Sequence, residues 1–227
     1  MAEKQRNAGS DARAPVEGVV LLHGLGRTRL GMQLLARRLD LAGFETECVG
    51  YGSRRLSLAE ATEAVADAVA RAARRWDVVH LVGHSLGGVL SAAVATGRPD
   101  LPVVRVVMIG APMRGSELAA WCLRFGLLRA AFGPVLADLA VDRGPLAPAE
   151  RIGAIASTAG NELLGREVGL VGTHDGKVTQ RSAWAGAGAG HRAAVPVGHM
   201  MLPFSQRVAE LTIRFLRDGR FPSEAEG

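Results

Sequence analysis

Six short apolar runs, separated by helical patterns, constrain the fold of this 227-residue chain more than any other feature. Several of the runs lack the polar alternation that marks a strand with one exposed face. Runs that are apolar on both faces belong in a parallel sheet with helices packed on each side. The runs lie at residues 17–22, 44–49, 77–82, 103–109, 152–157 and 192–197.

The segments between the runs carry helix signals. Apolar residues recur on one helical face over residues 32–42. Ser57 and Glu60 form a capping box before a second apolar stripe. Pro203 predicts the start of the last helix, and Gly219 predicts its end. This alternation predicts an α/β protein with a doubly wound, mainly parallel sheet of about six strands.

The composition favours one globular domain and argues against several function classes. With 48% hydrophobic residues, the chain is long enough to bury a substantial core. Its formal net charge is +5, but the arginines are scattered and are not interleaved with aromatic residues, so we predict no nucleic-acid partner. Cys48 and Cys122 lie outside any metal-like spacing and are expected to be free thiols. The polar N-terminal segment lacks the apolar core of a signal peptide, which predicts a cytoplasmic protein.

One serine follows the third run, in the sequence LVGHSLGG at residues 81–88. A Gly-x-Ser-x-Gly motif needs small neighbours, because the strand turns sharply into a helix and holds the serine in strained geometry with its oxygen exposed. Gly83 and Gly87 meet that need. Ser85 is therefore a candidate nucleophile, and a helix cap or a tight turn is the structural alternative.

A serine nucleophile also needs hydrogen-bond donors for the negative charge that develops on the substrate oxygen. The first run is followed by HGLG at residues 23–26. Gly24 allows the backbone to curl so that the Leu25 N–H points inward and joins the Leu86 N–H in an oxyanion hole. A simple glycine turn is the alternative.

The general base is expected in a loop after a later strand. His199, in VPVGHMMLP, follows the last run and precedes the last helix, which makes it the best candidate among six histidines. An imidazole base needs an acid that fixes its tautomer. Asp175, in GTHDGKV between the last two runs, supplies one, although Asp-Gly is also an ordinary turn signal. The other histidines, including His84 and His191, are given no catalytic role.

The order Ser85, Asp175, His199, with HG upstream, resembles the α/β-hydrolase superfamily. The HGLG, GHSLGG, DG and late GH elements are most similar to those of its bacterial lipase and esterase branch, and the resemblance covers nearly the whole chain. It implies that His23 braces its loop rather than transferring protons. The opening strands of the family are absent, which predicts a minimal six-stranded sheet. Ser116, in GAPMRGS, is expected to cap a helix.

The resemblance implies a serine hydrolase, an esterase or lipase, that cleaves carboxylic esters of apolar acyl groups. Ser85 attacks the acyl carbonyl, His199 relays the proton and Asp175 orients His199, while the Leu25 and Leu86 amides hold the oxyanion. An acyl-enzyme forms and is released by water, with no cofactor and no metal. A thioesterase, an amidase or an acyltransferase can use the same triad, and a non-catalytic binding protein can use the same fold.

The expected domain spans residues 15–219. A disordered N-terminal tail at residues 1–14 precedes it, and a C-terminal tail at residues 220–227 follows it. An insertion at about residues 113–148 is expected to form a small helical lid over the site.

The apolar part of this insertion, residues 117–141, approaches the length of a membrane span but is interrupted by charged residues. We therefore predict no integral membrane span, and at most transient contact with a lipid surface. Trp121, Phe125 and Leu128 are predicted to bind the acyl group of a small-molecule or lipid ester, because so many apolar side chains need a partner.

Overall fold

The computed structural model describes residues 15–142 and 149–222. The predicted N-terminal tail lies outside these residues, as do residues 223–227 of the predicted C-terminal tail. Residues 143–148 of the predicted insertion lie outside them as well. The boundaries of the domain and its tails therefore stay predictions.

The strands of the described residues form one fully parallel sheet. They are β1 (Glu17–Leu22), β2 (Glu45–Val49), β3 (Val78–His84), β4 (Val103–Ile109), β5 (Ile152–Ser157) and β6 (Arg192–Val195). Their order in the sheet is β2-β1-β3-β4-β5-β6, so the chain winds outward from β1 in both directions. Each strand lies on one of the six apolar runs, and the predicted fold class is confirmed.

Helices pack on both faces of this sheet. Those of the described residues are α1 (Gln33–Leu41), α2 (Leu58–Ala72), α3 (Leu86–Gly97), α4 (Glu117–Leu123), α5 (Gly126–Phe132), α6 (Val135–Leu139), α7 (Glu162–Glu167), α8 (Gln180–Ala183) and α9 (Gln206–Asp218). Helices α1 and α9 cover one face, and α2 and α3 cover the other.

Strand β1 shows why the runs are apolar throughout. Val19 and Leu21 pack against one helical layer, whereas Val20 and Leu22 pack against the other, and all four are fully buried. A strand between two helical layers has no exposed face, so no polar alternation survives in its sequence.

The predicted start and stop signals act at two of three helix ends. Ser57 and Glu60 form the expected capping box at the start of α2, and Gly219 ends α9 in the left-handed conformation with φ 74°. The prediction for Pro203 is wrong. This proline lies inside a 3₁₀ helix, His199–Phe204, and α9 begins after Ser205, whose Oγ accepts a hydrogen bond from the Val208 N–H.

Three short helices, α4 to α6, follow β4 in place of one long helix. Ser116 caps α4 as predicted, its Oγ accepting a hydrogen bond from the Ala119 N–H. Gly133 separates α5 from α6 with φ 80°, and a Cβ there would stand 1.9 Å from the Arg54 carbonyl oxygen. No helix among the described residues is long and apolar enough to cross a membrane.

The parallel sheet determines where the predicted site residues lie. Because the carboxyl ends of all strands share one edge, the loops that follow them converge there. The HGLG loop follows β1, Ser85 follows β3, Asp175 follows β5 after α7, and His199 follows β6.

Candidate active site

Ser85 occupies a strained turn between β3 and α3. Its φ is 55° and its ψ is −119°, and it is the only residue other than glycine with a positive φ among the described residues. Backbone strain of this kind persists only where the surrounding structure enforces it. The Ser85 side chain makes no capping hydrogen bond to α3, so the helix-cap alternative does not account for this serine.

The glycines around Ser85 are required by close backbone contacts. A Cβ at Gly83 would stand 2.1 Å from the Gly87 carbonyl oxygen, and a Cβ at Gly87 would stand 2.3 Å from the Leu22 carbonyl oxygen. The start of α3 is therefore pressed between β3 and β1. A larger residue at either position would push the helix away from the sheet and move the serine.

The HGLG loop lies directly beside this turn. A Cβ at Gly24 would stand 3.3 Å from the Ser85 Cβ. The Gly26 N–H donates to the Ser53 Oγ at 3.1 Å. Within residues 15–142 and 149–222, the N–H groups of Leu25 and Leu86 have no hydrogen-bond acceptor. Two unused donors therefore flank the serine.

His23 holds the HGLG loop in place through contacts with Gly24 and Tyr51. Its ring stacks on the Tyr51 ring with centroids 4.4 Å apart, its Nδ1–H donates to the Gly24 carbonyl oxygen, and the Tyr51 hydroxyl donates to the His23 carbonyl oxygen. Burial lowers the pKa of His23 below its usual value, which favours the neutral ring. These contacts suit the bracing role expected for it.

The side chains of Asp175 and His199 are hydrogen-bonded to each other. The His199 Nδ1 and the Asp175 Oδ2 are 2.5 Å apart, and their side chains are only 5% and 1% exposed. The other carboxylate oxygen of Asp175 accepts from the N–H groups of Lys177 at 2.9 Å and Val178 at 2.7 Å. The Asp-Gly turn is present as well, and it directs the Asp175 carboxylate at His199.

His84 is a site residue that the sequence analysis missed. Its Nε2–H donates to the His199 carbonyl oxygen at 3.0 Å, and the two rings are 4.9 Å apart. Burial, and then the nearby charge of His199, hold the pKa of His84 well below its usual value, so the ring is neutral. Its position directly before the serine was the available signal, since a large polar side chain in a buried turn needs a partner.

Ser85 and His199 line one cavity of about 110 Å³. Helices α4 to α6 form its apolar wall. The cavity is small beside the roughly 300–1,000 Å³ of sites that enclose drug-sized ligands, so in this conformation it has room only for a small group. The wall consists of Leu118, Ala119, Cys122, Phe132, Leu136 and Leu139.

Trp121, Phe125 and Leu128 are not among the residues that line this cavity. The predicted segment forms the wall, but with other side chains. The rings of Trp121 and Phe125 pack on each other with centroids 4.7 Å apart, and Leu128 packs against the core. The reason is helix geometry: α4 turns Leu118 and Cys122, four residues apart, toward the cavity, and this leaves Trp121 on another face.

No group of three or more His, Cys, Asp or Glu side chains in the described part of the chain is arranged to hold a metal ion. Cys48 and Cys122 are free thiols. Burial raises the pKa of Cys122 above its usual value, so its sulfur is protonated and adds to the apolar wall.

Comparison with known proteins gives matches in structure but none in sequence. The sequence matches no protein-family model and no curated protein. The mature form of the lipase BlEst2 from Bacillus licheniformis aligns with a TM-score of 0.70 and 17% identity, over 93% of this chain and 94% of that one.

Two further solved structures are similar. A metagenomic carboxyl esterase aligns with a TM-score of 0.65 and 21% identity, over 92% of this chain and 72% of that one. A protein from Xanthomonas campestris pv. campestris, described as a hydrolase of the alpha/beta superfamily, aligns with a TM-score of 0.52 and 15% identity, over 88% of this chain and 98% of that one. At these identities the likeness establishes a shared fold.

Proposed function

We propose that this chain, which has the α/β-hydrolase fold, is a serine hydrolase that cleaves carboxylic esters of apolar acyl groups. The observation that carries the proposal is that His199, hydrogen-bonded to Asp175, lines the same cavity as the strained Ser85. A buried carboxylate on one imidazole nitrogen leaves the other nitrogen to act as the base. The similar structures include a lipase and a carboxyl esterase, which supports the same reaction class.

The first half of the reaction forms an acyl-enzyme. The Ser85 Oγ attacks the carbonyl carbon of the ester while the His199 Nε2 takes the hydroxyl proton. The negative charge that develops on the carbonyl oxygen is held by the unused N–H groups of Leu25 and Leu86. The bond from the acyl carbon to the alcohol oxygen then breaks, and the alcohol leaves with the proton from His199.

The second half returns the enzyme to its starting state. Water enters in place of the alcohol, gives a proton to His199 and attacks the acyl carbon. The bond from that carbon to the Ser85 Oγ breaks, and the serine recovers its proton. The Asp175 carboxylate stabilises the imidazolium of His199.

The acyl group is assigned to the apolar wall. Leu118, Phe132, Leu136 and Leu139 line the cavity that also holds Ser85, and we assign them the contacts first expected of Trp121, Phe125 and Leu128. An apolar chain gains about 0.8 kcal/mol for each methylene that leaves water there. Acyl chains therefore bind more strongly than polar groups of the same size.

Ester hydrolysis is tested on purified variants with 4-nitrophenyl butyrate. Ser85→Ala and His199→Ala should each lower kcat by a factor of about 10⁴ or more, and Asp175→Asn by a factor of about 10⁴. Ser91→Ala is the matched control, because Ser91 is a buried serine of the same helix whose hydroxyl donates to the Gly87 carbonyl oxygen. Substantial activity in folded Ser85→Ala contradicts the proposal, whereas no ester hydrolysis by the folded wild-type protein would favour a non-catalytic binding protein.

Substrates with different scissile bonds distinguish an esterase from a thioesterase or an amidase. A butyryl ester, its thioester and its amide with matched leaving groups are compared by kcat/KM. The proposal expects the ester to be cleaved well above the amide. A thioester preference would instead indicate a thioesterase with the same triad.

A further inference from the structure

The cavity beside Ser85 carries two cationic side chains and no carboxylate. Arg27 and Lys177 both line it, and none of its lining residues among the described ones is an aspartate or a glutamate. Glu117 precedes the wall residue Leu118 but does not line the cavity. Lys177 is also the one lysine within residues 15–142 and 149–222.

Neither cation is paired with a charged group of residues 15–142 or 149–222. In the described part of the chain, Arg27 and Lys177 have no ion-pair partner and no side-chain hydrogen bond. Other arginines do have partners: Arg98 pairs with Asp100 and Arg114 pairs with Asp142. The charge at the cavity is therefore available to a ligand.

The two charges reach the end of the cavity where the reaction takes place. After burial and the charge of His199, Arg27 and Lys177 are further causes of the lowered pKa of His84, the residue next to Ser85. Arg27 directly follows the HGLG loop, and the Lys177 N–H is bonded to Asp175. The cations thus come from loops on the oxyanion and acid sides of the site.

The lining has an apolar part and a cationic part, which meet where the Lys177 carbonyl oxygen accepts a hydrogen bond from the Ser116 Oγ at the start of α4. Helices α4 to α6 supply the apolar wall, where the acyl chain is assigned. Arg27 and Lys177 come from the loops after β1 and β5, so they are left to face the remainder of the substrate, which is the alcohol. A neutral alcohol makes no use of two unpaired cations, and a cationic alcohol would be repelled by them.

We propose that the preferred ester carries an anionic group, a phosphate or a carboxylate, on its alcohol part, and that Arg27 and Lys177 bind this group. The inference rests on the proposed function and adds the substrate class. The arginine guanidinium offers paired N–H donors that match the oxygens of either anion, and the lysine ammonium adds a second positive charge. Both groups are partly in water, so the preference weakens as salt rises.

Binding to Ser85→Ala tests the inference without any reaction. Titration calorimetry compares butyl phosphate, valerate and butanol, which share one alkyl chain. We expect each anion to bind at least about tenfold more tightly than butanol, as one charged hydrogen bond is sufficient to produce. The ratio of the two anions distinguishes a phosphate site from a carboxylate site, and either result supports the inference.

Charge-removing variants locate the effect. In the Ser85→Ala background, the double substitution Arg27→Gln and Lys177→Gln should bring the dissociation constants of the anions within about twofold of that of butanol. Lys177→Gln keeps the backbone N–H that holds Asp175. Arg74→Gln is the matched control, because Arg74 is exposed and precedes β3, at the amino ends of the strands and away from the site. Equal binding of butyl phosphate and butanol to Ser85→Ala overturns the inference.

Kinetics on the enzyme with Ser85 intact then separate this inference from the proposed function. Butyryl esters of glycerol 3-phosphate, glyceric acid, glycerol and choline are compared by release of butyrate. The inference expects kcat/KM to be about tenfold higher for the anionic alcohols than for glycerol, and lowest for choline. Equal rates overturn the inference alone. Tight anion binding with no hydrolysis of any ester overturns the proposed function alone.

Discussion

His84 and His199 are joined by a hydrogen bond from the His84 Nε2–H to the His199 carbonyl oxygen, 3.0 Å away and 115 residues apart in sequence. The bond links the turn that holds Ser85 to the loop that holds the proposed base. His84 is neutral and buried, so it acts by position rather than by charge. We therefore propose that His84 positions His199.

Replacing His84 by leucine should lower kcat about tenfold with little change in KM, because the base is displaced while the apolar wall is kept. His84→Gln, which can still donate a hydrogen bond, should lose less. His191→Gln is the control, because His191 directly precedes β6 and so lies at the amino ends of the strands, away from the site at their carboxyl ends. Equal kcat values for His84→Leu and wild type would show that His84 does not position the base.

Two glycines at opposite ends of α3 should respond differently to alanine. A Cβ at Gly87 meets the Leu22 carbonyl oxygen at 2.3 Å, whereas a Cβ at Gly97 meets nothing within 4 Å. Gly87→Ala should cost several kcal/mol or prevent folding, and Gly97→Ala should be neutral or add up to about 1 kcal/mol to the free energy of unfolding. Urea denaturation measures both. A folded Gly87→Ala with wild-type stability would mean that α3 is not held against β1.

Stability should fall between about pH 7 and about pH 5. Burial lowers the pKa of His23, His80 and His84 below 6.5, so the unfolded chain takes up protons that the folded chain refuses. The free energy of unfolding is greatest above pH 6.5 and falls by up to about 1.4 kcal/mol per pH unit for each histidine as pH drops toward the folded pKa. Denaturation midpoints at several pH values measure this, and His80→Leu should show a shallower fall. A pH-independent midpoint in this window would contradict it.

The apolar wall should set the preferred acyl length. Phe132→Ala enlarges the cavity, so it should lower kcat/KM for short acyl esters and move the optimum to longer ones. Leu127→Ala is the control, because Leu127 is 83% exposed and does not line the cavity. A series of 4-nitrophenyl esters from acetyl to octanoyl measures the shift. The same optimum in wild type and Phe132→Ala would remove the wall from the acyl site.

The sheet was predictable because its causes are local. A strand between two helical layers must be apolar on both faces, as Val19 and Val20 are in β1, and this pattern is visible in a few residues. The Gly-x-Ser-x-Gly motif is visible for a similar reason. Gly87 approaches Leu22 so closely that no side chain fits, and the sequence therefore has a glycine at this position.

The wall of the cavity was not predictable in the same way. Helices α4 to α6 have five to seven residues each, too few for an apolar stripe to identify the inward face. Tertiary packing decides that Leu118 faces the cavity and Trp121 does not. The His84–His199 bond was also hidden, since it joins distant residues through a backbone carbonyl, which carries no sequence signal.

The central claim is that Ser85 carries the acyl group during turnover, and trapping that intermediate tests it most directly. The protein is mixed with 4-nitrophenyl acetate, quenched in acid within the first turnovers and digested, and the peptides are examined by mass spectrometry. Our account predicts one acetyl group on Ser85, none on the buried Ser91, and none on the Ser85→Ala variant. Rapid ester cleavage with no acetyl group on Ser85 would contradict it.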